Sequence, residues 1–364
     1  MADIAAISTL IPGYKPMART ASPHLHTLTP ESIRARRFLP FAAAVLFATA
    51  VNSGSAPSGQ LAQPRGNLRP TGEDYSRSGA IGDSLRVRIP FAAQERPQVP
   101  KDIDALRTIT GSEFVCLERA NFLIASDLEF DEYEYLIDGV FDYCRRALIN
   151  AYFDRLPYPG PTINLFVFRD YDSYANGLRR FFNMDPISPY GHYGHSQKYL
   201  VINFDTGPGT MVHEMTHALM ADDFPEAPIW LAEGLASLYE QCRAEGGTLR
   251  GDDNWRLPEL KTALAGDALT PLSRLLAMSP ADFRAANESL HYAQARYLCK
   301  YLEDLGILAI VYKDFRDNHR QDPSGARFLA KAFGRPLAEI ESAWKRWLGY
   351  QNWQEDQYDL TTAQ

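Results

Sequence analysis

Positive charge is in short supply: the 364 residues carry 37 Lys and Arg against 45 Asp and Glu, a net charge of −8 with neutral histidines. A nucleic-acid binder would show a basic footprint, so no nucleic-acid partner is expected. No block of like charge stands out either, and the acidity reads as solubility. Long apolar runs are missing. The longest, Phe38 to Val51, falls short of the about 20 residues that a bilayer helix needs. There is no Cys-x-x-Cys pair, which removes a redox motif and a cysteine zinc knot. A Gly-x-Ser-x-Gly nucleophile elbow is absent. "GPGTMV" lacks the third glycine of a dinucleotide loop, and no segment repeats at a fixed period.

What is present is a globular composition, 45% hydrophobic and 23% charged, with length for two ordinary domains or one two-lobed enzyme fold. The first residues stand apart. Arg34, Arg36 and Arg37 precede "FLPFAAAVLFATAV", and "NSGSA" follows. A basic region, a short apolar core and an Ala-x-Ala-like site make an export signal cleaved after Ala50 or Ala56, read from Met1 or from Met17. The expected location is periplasmic or extracellular, with no stable membrane span after cleavage. Export permits disulfides among Cys116, Cys144, Cys242 and Cys299; three pairings, or free buried thiols, remain open.

From about Ala56 to Pro100 the chain turns to Gly, Pro, Ser, Gln and Arg and reads as a flexible linker. Beyond it, "FVCLERANFLIAS", "PTINLFVF" and "KYLVINF" have the branched and aromatic content of strands. In "DEYEYLIDGVFDYCRRALINAYFDRL", Tyr135, Val140, Phe141, Cys144, Leu148 and Tyr152 recur as one helical face. After Met211 the pattern is mainly helical, with helices expected over Thr210–Met220, Ile229–Cys242, Ser289–Leu305, Ala326–Phe333 and Leu337–Leu348. A small mixed sheet lobe followed by a helical lobe is an α+β arrangement.

The chemistry sits in "TMVHEMTHALM". Thr210 can cap a helix that puts His213 and His217 one turn apart on one face. Two neutral imidazoles at that spacing can bind one Zn²⁺, and Glu214 can serve as general base for a metal-bound water. Such a pentapeptide arises by chance in about one chain of this size in a hundred, so it does not decide alone. A catalytic zinc needs a third protein ligand. Glu233 in "PIWLAEGLASLYE" offers it, on a helix that Pro228 starts and that Trp230, Leu231, Leu235 and Leu238 anchor. Gly234 inside that helix implies a close neighbour, because a helical glycine costs about 1 kcal/mol relative to alanine.

Together "HEMTHAL" and "WLAEGLASLYE" resemble the gluzincin metallopeptidases, in particular the exported peptidase MA-like family. "FLIASDL" is similar to that family's opening strand, "GHYGHSQKYLVINF" to its edge strand, and "LHYAQARYLCKYLEDL" and "FGRPLAEIESAWKRWL" to later helices. The resemblance implies a zincin-like fold with the HExxH helix between its lobes. With the signal region read over 1–56 and the linker over 57–105, it implies a catalytic domain over 106–352, followed by a tail over 353–364. His213, His217 and Glu233 would be the zinc ligands, Glu214 the base and a peptide or protein the substrate. Tyr292 is the first candidate for the oxyanion donor, and His291 is its rival. Thermolysin-like members carry an Asp four residues after the glutamate ligand; here that position is Ser237, so Glu240 or a carboxylate elsewhere must orient a metal histidine. The segment "YGHYGHS" could bind an extended substrate backbone or simply turn, with His192 and His195 as surface residues. Two rival functions are a non-catalytic exported binding or scaffold protein, and a zinc amidase acting on a cell-wall component.

Overall fold

The computed structural model describes residues 99–156 and 160–353. The expected signal region, most of the linker and the tail from 354 on lie outside the described residues. The fold opens with helix α1 (Ile103–Thr110), which begins inside the segment expected to be linker. Asp102 caps it by accepting from the Ala105 amide at 2.8 Å, and Leu106 buries fully against the sheet.

Strands β1 (Val115–Arg119) and β2 (Phe122–Ser126) form a hairpin. A helical stretch follows: Phe130–Tyr133, a segment of π-type hydrogen bonding over Glu134–Phe141, and α2 (Asp142–Ala151). The wider π winding rotates the expected apolar face. Leu136 and Ile137 turn inward, while Tyr135 is left exposed. Strand β3 (Ile163–Phe168) leads to α3 (Tyr171–Gly177), capped by Asp170. Strands β4 (Gly191–Gly194) and β5 (Tyr199–Asn203) complete a five-stranded sheet in the order β1-β2-β3-β5-β4. Strands β2, β3 and β5 run parallel, and both edge strands are antiparallel to their neighbours.

Every residue of β2, β3 and β5 is buried, as parallel strands covered on both faces require. Alternation along the strands divides them between two cores. Leu165, Val167, Leu200 and Ile202 face the main core with α2 and the helical part. Phe166, Phe168 and Val201 face a smaller aromatic core with Leu106, Tyr174 and Phe182.

From β5 the chain passes into α4 (Pro208–Asp223), α5 (Ile229–Leu238), the hairpin β6 (Cys242–Glu245) and β7 (Thr248–Gly251), and α6 (Leu257–Ala265). Helices α7 (Glu288–Asp304), α8 (Leu308–Asn318), α9 (Ala326–Phe333) and α10 (Leu337–Gly349) follow. The α+β expectation therefore holds. Two boundaries differ from the sequence reading. Helix α4 starts at Pro208 with Gly207 at its cap, so Thr210 lies inside it and its hydroxyl meets that of Thr206 at 2.9 Å. Helix α5 stops at Leu238 because the chain turns to enter the β6–β7 hairpin.

The two ends of α4 are tied down differently. Its first turn abuts the chain after α5: a Cβ on Gly209 would stand 2.2 Å from the Glu240 carbonyl oxygen. At its far end the buried Asp223 carboxylate accepts from Arg316 (2.8 Å), the Tyr312 hydroxyl (3.0 Å) and the Arg155 amide (3.1 Å). The four cysteines are thiols, and those of Cys144 and Cys242 meet in the main core. Among the described residues no helix is long and apolar enough to cross a membrane.

Candidate metal centre

Helix α4 turns Met211, Val212, Met215, Ala218 and Leu219 into the core. This leaves His213, Glu214 and His217 on one partly exposed face, set by the one-turn spacing. The Nε2 atoms of the two histidines stand 3.0 Å apart. Helix α5 runs back beside α4 and buries Glu233, only 4% exposed, with Trp230, Leu231, Leu235 and Leu238 as its anchor. Glu233 Oε2 lies 3.2 Å from His217 Nε2 and 3.6 Å from His213 Nε2. The expected three ligand groups are thus brought together, with ligand atoms all within 4.8 Å of one another.

Gly234 makes that approach possible. A Cβ there would lie 2.7 Å from the Ala295 carbonyl oxygen and 2.8 Å from Cys299 Sγ, both on α7. Helices α5 and α7 therefore pack backbone to backbone next to Glu233, the close neighbour that the helical glycine implied.

The fit to a cation rests on the donor set. Glu233 Oε2 is buried and has no hydrogen-bond partner, and it shares its space with two imidazole nitrogens. Three lone-pair donors converging on one point suit a divalent ion with His₂Glu ligation. Electrostatics points the same way. Burial works against the charge of Glu233, but the facing histidines outweigh it and hold the carboxyl well below the usual range. Burial likewise opposes a charged His213, yet Glu233 and Glu240 outweigh it and raise the ring to about 10.

Glu240 is the carboxylate beside the other ring nitrogen of His213. Its Oε1 lies 2.8 Å from His213 Nδ1, and both its oxygens accept from Arg256 at 3.0 and 2.9 Å. Burial opposes its ionisation, but Arg256 and His213 prevail and bring it down to about 2. It does not sit one turn along α5, because that helix has already ended. The packing at Gly209 brings it to the first turn of α4 instead. Ser237 is buried with an unpartnered hydroxyl and takes no part.

Glu214 sits beside the ligands, and burial raises its carboxyl above the ordinary value despite the two histidines. Tyr174, buried on α3, is close enough to feel that charge. Tyr292, on the first turns of α7, also reaches the site. Burial first, and the Glu233 charge second, raise its hydroxyl, so it stays protonated. The rival His291 is only 4% exposed and sets its Nδ1 2.9 Å from the Phe283 carbonyl oxygen. It braces the loop below Arg284.

Arg256 and Arg284 escaped the sequence reading. Arg284 donates to Glu233 Oε1 at 2.7 Å from a position 51 residues further on. No spacing rule links residues across five intervening elements, so the sequence held no signal for either.

"GHYGH" forms the sheet edge itself: β4 pairs with β5 from Gly191↔Ile202 to Gly194↔Tyr199, and the chain then turns. Of its histidines, His195 is exposed, while His192 is half-buried near the Tyr199 hydroxyl. Comparison with known proteins brings no relative to this site: no protein-family model matches the chain, and no curated protein matches it.

Proposed function

We propose that the protein is an exported zinc metallopeptidase of the gluzincin type, with His213, His217 and Glu233 as ligands and Glu214 as general base. The zincin-like reading of the α+β fold belongs to the same proposal. The observation that carries it is the convergence of two imidazole nitrogens and the unpartnered Glu233 oxygen beside a carboxylate that burial makes more basic. A Zn²⁺ held there would supply a Lewis acid for the scissile carbonyl and an acidified water.

The protein's own residues carry the proton traffic. Glu214 takes the proton from the attacking water on a carboxylate oxygen and returns it to the leaving amine. A carboxyl raised by burial suits both halves of that cycle. Tyr292, kept protonated, donates to the oxyanion that develops on the former carbonyl. Glu240, itself clamped by Arg256, fixes the ring of His213 so that Nε2 points to the other ligands.

The test uses the purified mature chain. Wild type is expected to hold one equivalent of zinc and to cleave a mixed peptide library. Glu214→Gln is expected to hold zinc while losing about 10²- to 10⁴-fold in rate, the usual worth of a general base. A wild type without stoichiometric metal sinks the proposal. Zinc-loaded Glu214→Gln cleaving at the wild-type rate removes the assigned base.

A further inference from the structure

We infer that Arg284 is a positioning residue of the metal centre: it occupies one oxygen of Glu233 so that the carboxylate offers only the other to the cation. This rests on the metallopeptidase reading of the site and goes beyond it, because nothing in the HExxH pattern specifies how the third ligand is presented.

Arg284 Nη2 donates to Glu233 Oε1 at 2.7 Å, a charge-assisted bond to a carboxylate whose side chain is only 5% exposed. Glu233 Oε2 is left without a hydrogen-bond partner and faces both histidine Nε2 atoms. One oxygen is therefore committed to the guanidinium and the other to the ligand position. A carboxylate free at both oxygens could swing to bind a cation through two. Arg284 removes that choice.

Tyr292 lies close enough to the same guanidinium and to Glu233 for their charges to act on its hydroxyl.

Arg284 is itself held. It follows the short helix Pro280–Phe283, which packs on α5 and is capped by the Ser279 hydroxyl accepting from the Asp282 amide at 3.1 Å. The His291 ring meets the Phe283 carbonyl at 2.9 Å and ties this segment to α7. The side chain of Arg284 is nonetheless 47% exposed, so replacing it removes no core volume.

The experiment compares full-length mature wild type, Arg284→Met and Arg284→Lys, with far-UV circular dichroism confirming an unchanged fold. Zinc affinity is measured by competition with a chromogenic chelator, and the visible spectrum is recorded on the cobalt-substituted proteins. Arg284→Met is expected to bind zinc about 10- to 100-fold more weakly, the usual cost of losing a group that orients a ligand. Its cobalt d–d bands should weaken as Glu233 becomes free to bind through both oxygens. Arg284→Lys should recover most of the affinity, since an ammonium can still take Glu233 Oε1. An Arg284→Met variant with zinc affinity within twofold of wild type and an unchanged cobalt spectrum overturns the role of Arg284. That outcome leaves the metallopeptidase reading standing, whereas a wild type that holds no zinc removes that reading first.

Discussion

Replacing Gly234 by alanine sets two effects of opposite sign against each other at a position next to Glu233. Helix propensity alone would stabilise α5 by about 1 kcal/mol. Against this, the added methyl would stand 2.7 Å from the Ala295 oxygen and 3.0 Å from its carbonyl carbon, with ordinary contact beginning at 3.4 Å. Relief means opening the α5–α7 contact by about 0.7 Å at a close-packed interior. Two of the three nearest atoms are α7 backbone, and α7 is pinned on its other side by Trp344 Nε1 donating to the Tyr297 carbonyl at 3.1 Å. Overpacking of this kind costs about 1–3 kcal/mol, and an unyielding wall argues for the upper end. The net expectation is a loss of about 2 kcal/mol. For a domain of this size that lowers the melting midpoint by about 4–8 °C. Because Glu233 is the adjacent residue, the same displacement should weaken zinc binding in chelator competition. Thermal melts of metal-free protein, paired with that competition, give both readouts. A Gly234→Ala protein that melts higher than wild type refutes the close-contact reasoning; one that melts lower but binds zinc equally refutes the link from α7 to the ligand.

Two further outcomes are expected. Glu240→Gln should weaken zinc binding about tenfold or more, because the His213 ring loses the carboxylate 2.8 Å from its Nδ1. Adding Arg256→Met to that variant should relieve the stranded guanidinium and recover stability in urea without recovering affinity. The second concerns pH. Burial lowers His192 to about 4 from an unfolded value near 6.5, so the unfolded chain binds the extra proton between those values. Its contribution is complete above pH 6.5 and is lost as pH falls toward 4, amounting to about 2 kcal/mol after allowance for its partial exposure. Urea unfolding of wild type and His192→Gln across that window checks it; parallel curves for the two proteins would show that His192 is not the group responsible.

The sequence by itself determined the elements and the helices that carry the candidate ligands. Periodicity reflects which face of a helix or strand is dry, so α4, α7, α9 and α10 and the hydrophobic strands were legible from local pattern alone. His213, Glu214 and His217 came with α4, because residues one turn apart share a face in any helix. Tertiary structure decided what lies across space. It brought Glu240 to His213 by ending α5 early and packing Gly209 against the Glu240 carbonyl. It carried Arg284 to Glu233 from 51 residues away, and it turned His291 onto a carbonyl while leaving Tyr292 at the site. Local propensity acts over a turn or two of chain. The groups that orient, charge and complete this centre meet only because separate helices pack together, and no spacing along the chain encodes that meeting.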